Sequence, residues 1–205
     1  KPVVLIAPSW QEDNILDLCI DDMLKSQLGR GWRVIVRPHP EYTKRYRPRW
    51  EALQARWAEV PEDELYFERD FSSNETVFTS DVLITDWSSV FCEFCFSTLK
   101  PCIFVDTPMK VQNPDWEKVG IVPTDISLRN QVGKSVAPED IATIGDVAQT
   151  MMDNAQDWVE TIKQVRAGMF FNLGHGAEAA GEYLLSTILD KQEQRAEEAE
   201  ATKGA

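Results

Sequence analysis

The sequence predicts an α/β fold, specifically a Rossmann-like, doubly wound parallel sheet with helices on both faces. Short, continuously apolar segments alternate with segments whose apolar residues recur at helical spacing through the first half of the chain. Each apolar segment is followed by proline or charged residues, as expected of strands that are buried on both faces. A length of 205 residues suits one such domain with an appendage.

Five strands are predicted in the first half, over residues 3–7, 32–37, 65–68, 81–85 and 101–105. Apolar residues at helical spacing predict helices between them, around residues 13–28, 50–57 and 90–95. Ser9 or Asp13 can cap the first of these helices. Because parallel strands need crossover connections, the carboxyl ends of the strands should meet at one edge of the sheet.

The pattern weakens after Asp106. Proline and glycine are frequent over residues 107–135, which predicts loops with one or two short strands. Further helices are predicted from Pro138 through Met152, over about 154–170, and from Ala177 to Leu189. We expect residues 1–190 to form one domain and residues 191–205 to form a charged helical extension or a disordered tail.

The overall charge restricts the classes of partner. A net charge of −13 and an isoelectric point near 4.6 argue against broad nucleic-acid binding and against docking of this domain on an anionic membrane. No apolar run approaches the roughly 20 residues of a membrane-spanning helix. The chain opens at Lys1, without Met, directly in a strand, so we expect it to be part of a longer protein. A cytoplasmic location is expected, with any attachment to the inner face of the plasma membrane made through the rest of that protein.

One basic cluster stands out in this acidic chain. It can attract an anionic ligand, or its side chains can form a solvated helix face with their stems on apolar surface. We favour the second interpretation for all of them except Arg37, which lies at a strand end. The cluster consists of Arg33, Arg37, Lys44, Arg45, Arg47, Arg49 and Arg56.

The four cysteines are expected to be core residues, and no metal site is predicted. Cys92 and Cys95 form a C-x-x-C pair, but a structural zinc needs four ligands and the chain has no second pair. Cys95 also falls about two turns into its predicted helix, which is unlike a redox motif at a helix start. Free cysteines in apolar surroundings behave as small hydrophobic residues.

Two loops at the carboxyl edge of the sheet are the candidates for chemistry. In Arg37-Pro38-His39-Pro40, two prolines fix the backbone around a histidine, and Arg37 offers a planar fork suited to phosphate oxygens. The alternative is a proline-stiffened turn with a hydrogen-bonded histidine. In Asp86-Trp87-Ser88-Ser89, hydroxyl groups and free N–H groups at a helix start can bind an anion, whereas Asp86 or Ser88 can equally be an ordinary cap.

Glycine-rich dinucleotide, Walker and G-x-S-x-G motifs do not occur in the sequence, so phosphates would be held by side chains and a helix start. The Arg37–Pro40 segment followed by residues 80–91 closely resembles CDP-glycerol glycerophosphotransferases, the teichoic-acid polymerases and primases. Ala7-Pro8-Ser9-Trp10 and Lys100-Pro101-Cys102-Ile103-Phe104 resemble segments of the same family. The resemblance covers about residues 3–106. It implies a GT-B architecture in which this chain is the C-terminal, donor-binding half.

The resemblance also implies roles for individual residues. Arg37 and His39 would face the donor phosphates, with His39 acting as an acid on the leaving CMP or stabilising charge. Asp86, Ser88 and Ser89 would hold the glycerophosphate or pyrophosphate, with Asp86 counted with His39 as catalytic. Ser9 would contact the donor, and Glu93 would reach a ribose hydroxyl, unless it is simply a solvent-facing residue of an amphipathic helix. No cofactor is implied.

The implied substrates are CDP-glycerol or a similar CDP-linked donor, and a glycan or lipid-linked acceptor. An N-terminal domain of the same protein is the implied partner, and without it the chain is expected to be inactive. The alternatives are a nucleotide-sugar-dependent GT-B glycosyltransferase domain and a non-catalytic nucleotide-binding module. The sequence departs from the family pattern at Gln11, Trp87 and Glu93, over residues 107–136, and around His175, which we expect only to close a loop.

Overall fold

The computed structural model describes residues 1–203, with the side chains of residues 1–196. The chain divides into two compact units, Lys1–Val165 and a second unit that begins at Arg166. The first unit contains one sheet, whose strands are β1 (Val3–Ile6), β2 (Arg33–Val36), β3 (Leu65–Phe67), β4 (Val82–Thr85), β5 (Cys102–Val105) and β6 (Gly133–Val136).

All strand pairings in this sheet are parallel, in the order β3-β2-β1-β4-β5-β6. Leu5 of β1 pairs with Ile35 of β2 on one side and with Leu83 of β4 on the other. The direction of winding therefore reverses between β1 and β4. This confirms the predicted doubly wound fold, and it places the expected ligand crevice at the carboxyl ends of β1 and β4.

Helices cover both faces of the sheet because its strands are apolar on both sides. Ile6 of β1 belongs to a buried cluster with Met23 on one face. Leu5, which alternates to the opposite face, is also fully buried. On that second face Phe91 packs edge to face against Phe104 of β5, with ring centroids 5.3 Å apart.

The helices of the first unit are, in chain order, α1 (Ile15–Leu18), α2 (Ile20–Gln27), α3 (Pro40–Arg45), α4 (Arg47–Arg56), α5 (Glu75–Thr79), α6 (Val90–Thr98), α7 (Thr124–Ser127), α8 (Arg129–Val132) and α9 (Ile144–Asp153). Short 3-10 helices occupy Trp116–Val119 and Pro138–Thr143. Asn14 caps α1 through a bond from Leu16 N of 2.7 Å, and not Ser9 or Asp13 as expected. Helices α3 and α5 were not predicted, and neither were α7 and α8, which lie where loops and short strands were expected.

The segment after Asp106 contains one strand, which lies at its far end. β6 has the sequence Gly-Lys-Ser-Val and pairs with β5, so it is an edge strand with little apolar character. A Cβ atom at Gly133 would clash with the carbonyl oxygen of Cys102, so only glycine permits this close approach. The sheet thus gains a sixth strand, in a segment where one or two short strands were expected but no apolar run marked their position.

Helix α10 (Ala155–Met169) runs across the division between the units, and α11 (Gly176–Lys203) lies in the second. Helix α11 is continuous from the apolar part of its sequence into the charged part. Within the described residues, no helix combines the length and the apolar character that crossing a membrane requires.

Candidate functional site

Two adjoining cavities open beside the carboxyl ends of β1 and β4. The first, the His39 cavity, has a volume of about 290 Å³ and is bordered by residues that follow β1, β2 and β4, including Ala7, Pro8, Arg37, His39, Ser88, Ser89 and Glu93. The second, the Trp116 cavity, has a volume of about 380 Å³ and lies between Trp87, Ser89 and residues 109–126. Ser89 lines both cavities, so they adjoin at this residue.

His39 is held in one orientation by the helix that follows it. It is the N-cap of α3, and its Nδ1 accepts a hydrogen bond of 3.1 Å from the backbone N–H of Glu41. Burial, together with the nearby ammonium group of Lys110, lowers the pKa of His39 below its ordinary value of 6.5. The imidazole is therefore neutral at neutral pH. Since Nδ1 accepts a bond, the proton must lie on Nε2, which makes His39 a hydrogen-bond donor to a ligand.

Arg37 borders the His39 cavity, but its guanidinium is already engaged. Nη1 forms an ion pair of 2.8 Å with Glu68, and both side chains are about nine-tenths buried. Nη1 and Nη2 also donate to Thr76 Oγ1 and Asn74 Oδ1, at 3.2 and 2.9 Å. The expected phosphate fork is thus largely occupied, and the principal role of Arg37 is to tie the ends of β2 and β3 to the start of α5.

Asp86 is a structural anchor rather than an exposed catalytic group. It is 1% exposed, and its two carboxylate oxygens accept hydrogen bonds from the backbone N–H groups of Ser9, Ile15 and Trp87 at 2.7, 3.2 and 2.7 Å. Burial raises the pKa of Asp86, and these N–H donors act in the opposite direction. Asp86 was expected to touch the donor, but its carboxylate is buried. Both of its oxygens accept hydrogen bonds that join the loops after β1 and β4.

Ser9 lies outside the His39 cavity because it is buried against Asp86. It is 1% exposed, it donates its backbone N–H to Asp86, and it does not border the His39 cavity. Its neighbours Ala7 and Pro8 form that wall instead. The loop after β1 therefore contributes shape to the cavity rather than a hydroxyl group.

Ser88, Ser89 and Glu93 do come together with His39. Ser89 is the exposed N-cap of α6 and makes no capping bond with its side chain, so its hydroxyl is available to a ligand. Ser88 Oγ makes only a long contact of 3.5 Å with Val90 N. Glu93 is exposed one turn into the helix. Hydroxyls at a helix start with a carboxylate one turn on can hold a phosphate and a sugar hydroxyl respectively.

Arg129 was not identified from the sequence, yet it is central to the site loop. Its side chain is 6% exposed and donates to the carbonyl oxygens of Asp86 and Val105 at 2.7 and 3.3 Å, and to Asp106 at 2.6 Å. The guanidinium carbon lies 4.1 Å from the centroid of Trp87, in cation–π geometry. Burial lowers the pKa of Arg129, while Asp106 opposes that change. No local motif surrounds Arg129, so its role depends on the path of the loop that carries it.

The side chains of the basic cluster mostly form ion pairs with carboxylates of the same chain. These pairs support the interpretation as a solvated face: Lys44 and Arg45 with Glu41, Arg47 with Glu51, Arg49 with Asp17, and Arg56 with Asp21.

The cysteines are free thiols within the core or near it. Cys19, Cys95 and Cys102 are buried, and Cys92 is half-buried. Burial raises the pKa of Cys19 and of Cys92 to about 12, which keeps both thiols protonated. Within the described residues no group of three or more His, Cys, Asp or Glu side chains is arranged to hold a metal ion.

An all-parallel sheet in this order, with a crevice at the reversal of winding, is a Rossmann-like fold, and its likeness to solved structures makes it GT-B-like. The family model described as CDP-Glycerol:Poly(glycerophosphate) glycerophosphotransferase matches residues 1–117, more than half of the chain. The chain therefore belongs to this family.

Solved structures agree on the fold. The wall teichoic acid polymerase TagF, in a structure of a variant soaked with CDPG, aligns with a TM-score of 0.53 and 18% identity over 94% of this chain. Trehalose-phosphate synthases from Burkholderia vietnamiensis and Burkholderia multivorans align with TM-scores of 0.52 and 0.55, at 12% and 11% identity over 93% and 92% of this chain. The chain spans less than half of each: 43%, 45% and 44% of their lengths. The search of curated proteins found no match.

Proposed function

We propose that this chain binds the CDP-linked donor of a glycerophosphotransferase in the His39 cavity. The observation that carries the proposal is the neutral His39, whose Nδ1 is occupied by Glu41 N and whose Nε2 holds the proton, in a cavity that Ser88 and Ser89 also border. Family membership supports a glycerol-phosphate donor. The soak of TagF with CDPG supports a donor of this kind in a protein of the same fold.

The reaction would be a phosphoryl transfer. An acceptor hydroxyl oxygen bonds to the phosphorus that carries the glycerol, the bond from that phosphorus to the oxygen shared with CMP breaks, and the hydroxyl proton is released. Charge on the equatorial and bridging oxygens grows as the bonds exchange, so fixed donors aimed at those oxygens lower the barrier. His39 would supply such a donor through Nε2 without transferring its proton, because its lowered pKa disfavours an acidic imidazolium.

The other site residues have complementary roles in this proposal. Ser88 and Ser89 hold phosphate oxygens at the start of α6, and Glu93 accepts a bond from a ribose hydroxyl. Arg37 and Asp86 position the loops, by way of Glu68 and of the backbone N–H groups of the β1 loop. Since the chain spans less than half of TagF, the rest of a longer protein would complete the reaction with a glycan or lipid-linked acceptor.

Calorimetric titration with CMP, CDP-glycerol and UDP-glucose tests the proposal. The sharpest variant is His39→Asn, because an asparagine oxygen can still cap α3 while the Nε2 donor is lost. Affinity for both cytidine ligands should fall about tenfold or more, with helical content and thermal midpoint preserved. His175→Ala, which removes the other, exposed histidine, is the matched control and should change nothing.

Two results would count against this function. If neither cytidine ligand binds the wild-type chain at millimolar concentration, the cavity is not a donor site. If UDP-glucose binds more tightly than CDP-glycerol, the chain is the donor domain of a nucleotide-sugar glycosyltransferase instead.

A further inference from the structure

We infer that the Trp116 cavity binds the acceptor, as a chain of glycerol units joined by phosphodiesters. This inference rests on the proposed function, since it places the second substrate beside the donor of the same site. The family description names a poly(glycerophosphate) substrate, which fixes the chemistry to be recognised. That chemistry consists of apolar CH₂ and CH groups, free hydroxyls, and one negative charge for each phosphodiester.

The lining of the cavity matches the neutral part of such a chain. Two indole rings, from Trp87 and Trp116, provide flat apolar surface. Gln112, Asn113 and Asp125 provide amide and carboxylate oxygens that can accept bonds from hydroxyl groups. The lining thus mixes apolar and polar groups, as a chain of CH₂ groups and hydroxyls requires, and a volume of about 380 Å³ lies in the range of small-molecule sites.

One wall of the cavity is rigid before any ligand arrives. The indole Nε1 of Trp87 donates to the carbonyl oxygen of Thr107 at 2.8 Å. The guanidinium of Arg129 lies against the same ring at 4.1 Å from its centroid. A ring held by both contacts loses little freedom when it packs against a ligand, which favours binding.

Lys110 supplies the positive charge that a phosphodiester needs. It lines the Trp116 cavity, and its ammonium lies 5.1 Å from the centroid of Trp10. It makes no ion pair with a carboxylate of the described residues, unlike the exposed lysines Lys44 and Lys118. The Trp10 ring in turn lies 6.2 Å from the His39 ring, measured between centroids, so Lys110 stands close to the junction of the two cavities.

Asp125 adds a hydrogen-bond acceptor for hydroxyl groups to the cavity. Asp125 lines the cavity and has no ion-pair partner among the described residues. Its carboxylate can accept bonds from glycerol hydroxyls, while the phosphodiesters of the chain would lie nearer to Lys110. Ser89 borders both cavities, so the terminal hydroxyl of a chain in the Trp116 cavity would reach a donor phosphate held in the His39 cavity.

The test is a calorimetric titration of the 205-residue chain with CMP and with a synthetic trimer of glycerol phosphate. Trp116→Ala removes one wall of the Trp116 cavity, and Trp116→Phe retains an aromatic surface. Trp158→Ala is the control, because Trp158 is also half-buried but borders neither cavity. We expect Trp116→Ala to weaken trimer binding about tenfold, Trp116→Phe to retain most of it, and CMP affinity to stay constant in both.

Three outcomes overturn the inference: no trimer binding by the wild-type chain at millimolar concentration, equal trimer binding by wild type and Trp116→Ala, or a loss of CMP affinity in Trp116→Ala. The last would make the cavity part of the nucleotide site. If the trimer binds in a Trp116-dependent way while CMP does not bind, the proposed donor function fails and the glycerol-phosphate site stands.

Discussion

Replacing Arg129 by methionine should destabilise the domain, because its guanidinium joins three chain segments. The substitution keeps a long apolar side chain but removes the donors to Asp86 O and Val105 O. Each buried carbonyl left without a partner costs about 1–3 kcal/mol. Asp106 is 46% exposed and can be rehydrated, so its loss of a partner adds little. The expected decrease in the free energy of unfolding is therefore about 3 kcal/mol, at the low end for a broken buried pair.

Urea denaturation followed by far-ultraviolet circular dichroism measures this cost, provided that the slope with denaturant is unchanged. Arg129→Lys keeps the charge but loses the planar fork, so it should recover only part of the stability. The control is Arg56→Met, whose ion pair with Asp21 is about half exposed and should be worth less than about 1 kcal/mol. If Arg129→Met costs no more than Arg56→Met, the guanidinium does not hold the site loop and the reasoning is refuted.

Three further predictions concern the site and the packing. The pKa of His39 in the folded protein lies below its ordinary value of 6.5. The contribution of neutral His39 to the free energy of unfolding is therefore fully present above pH 6.5 and is lost as the pH falls through the folded pKa. CMP affinity measured by calorimetry should therefore be flat from about pH 7 to about pH 8.5, and a tenfold fall per pH unit would indicate a charged imidazole. Glu93→Gln should weaken CMP binding several-fold but leave 2′,3′-dideoxy-CMP unaffected, and equal losses for both ligands would rule out a ribose contact. Gly145→Ala should lower stability by about 1–3 kcal/mol, since its Cβ would clash with the carbonyl oxygen of Ser26. Gly168→Ala, which meets open space, should raise stability by up to about 1 kcal/mol in the same denaturation assay, and similar effects at both positions would contradict this account.

Strands β1 to β5 could be predicted from sequence because burial on both faces requires continuous apolar runs, as in Val4, Leu5 and Ile6. The position of strand β6 could not be predicted, because Gly133-Lys134-Ser135-Val136 exposes its two central residues and owes its place to pairing with β5. Its identity as a strand is a tertiary property rather than a local one.

The position of the site was predictable for the same reason as the fold. His39, Ser88 and Ser89 follow strands that the topology brings to one edge. The direction of each side chain was not predictable, since Arg37 turns to Glu68 and Asp86 turns inward to backbone N–H groups. These partners are separated from them in sequence, and no local spacing encodes the choice.

The contribution of the segment after Asp106 was also beyond sequence reasoning. Arg129 and Lys110 reach the site only because the loop between β5 and β6 folds back over the end of the sheet. In a region of prolines and short apolar pieces, the sequence has no period from which that path can be calculated.

The central position of β1 has a consequence for how the protein is made. Val4 pairs with Val34 on one side and with Val82 on the other, and every strand pairing is parallel, so no part of the sheet can close as a hairpin. Strand β1 is synthesised before β4, so its second edge stays uncovered until residues 82–85 have left the ribosome. Folding should therefore be slow, with apolar strand edges exposed during synthesis, and chaperones should matter most while residues 7–81 are being translated.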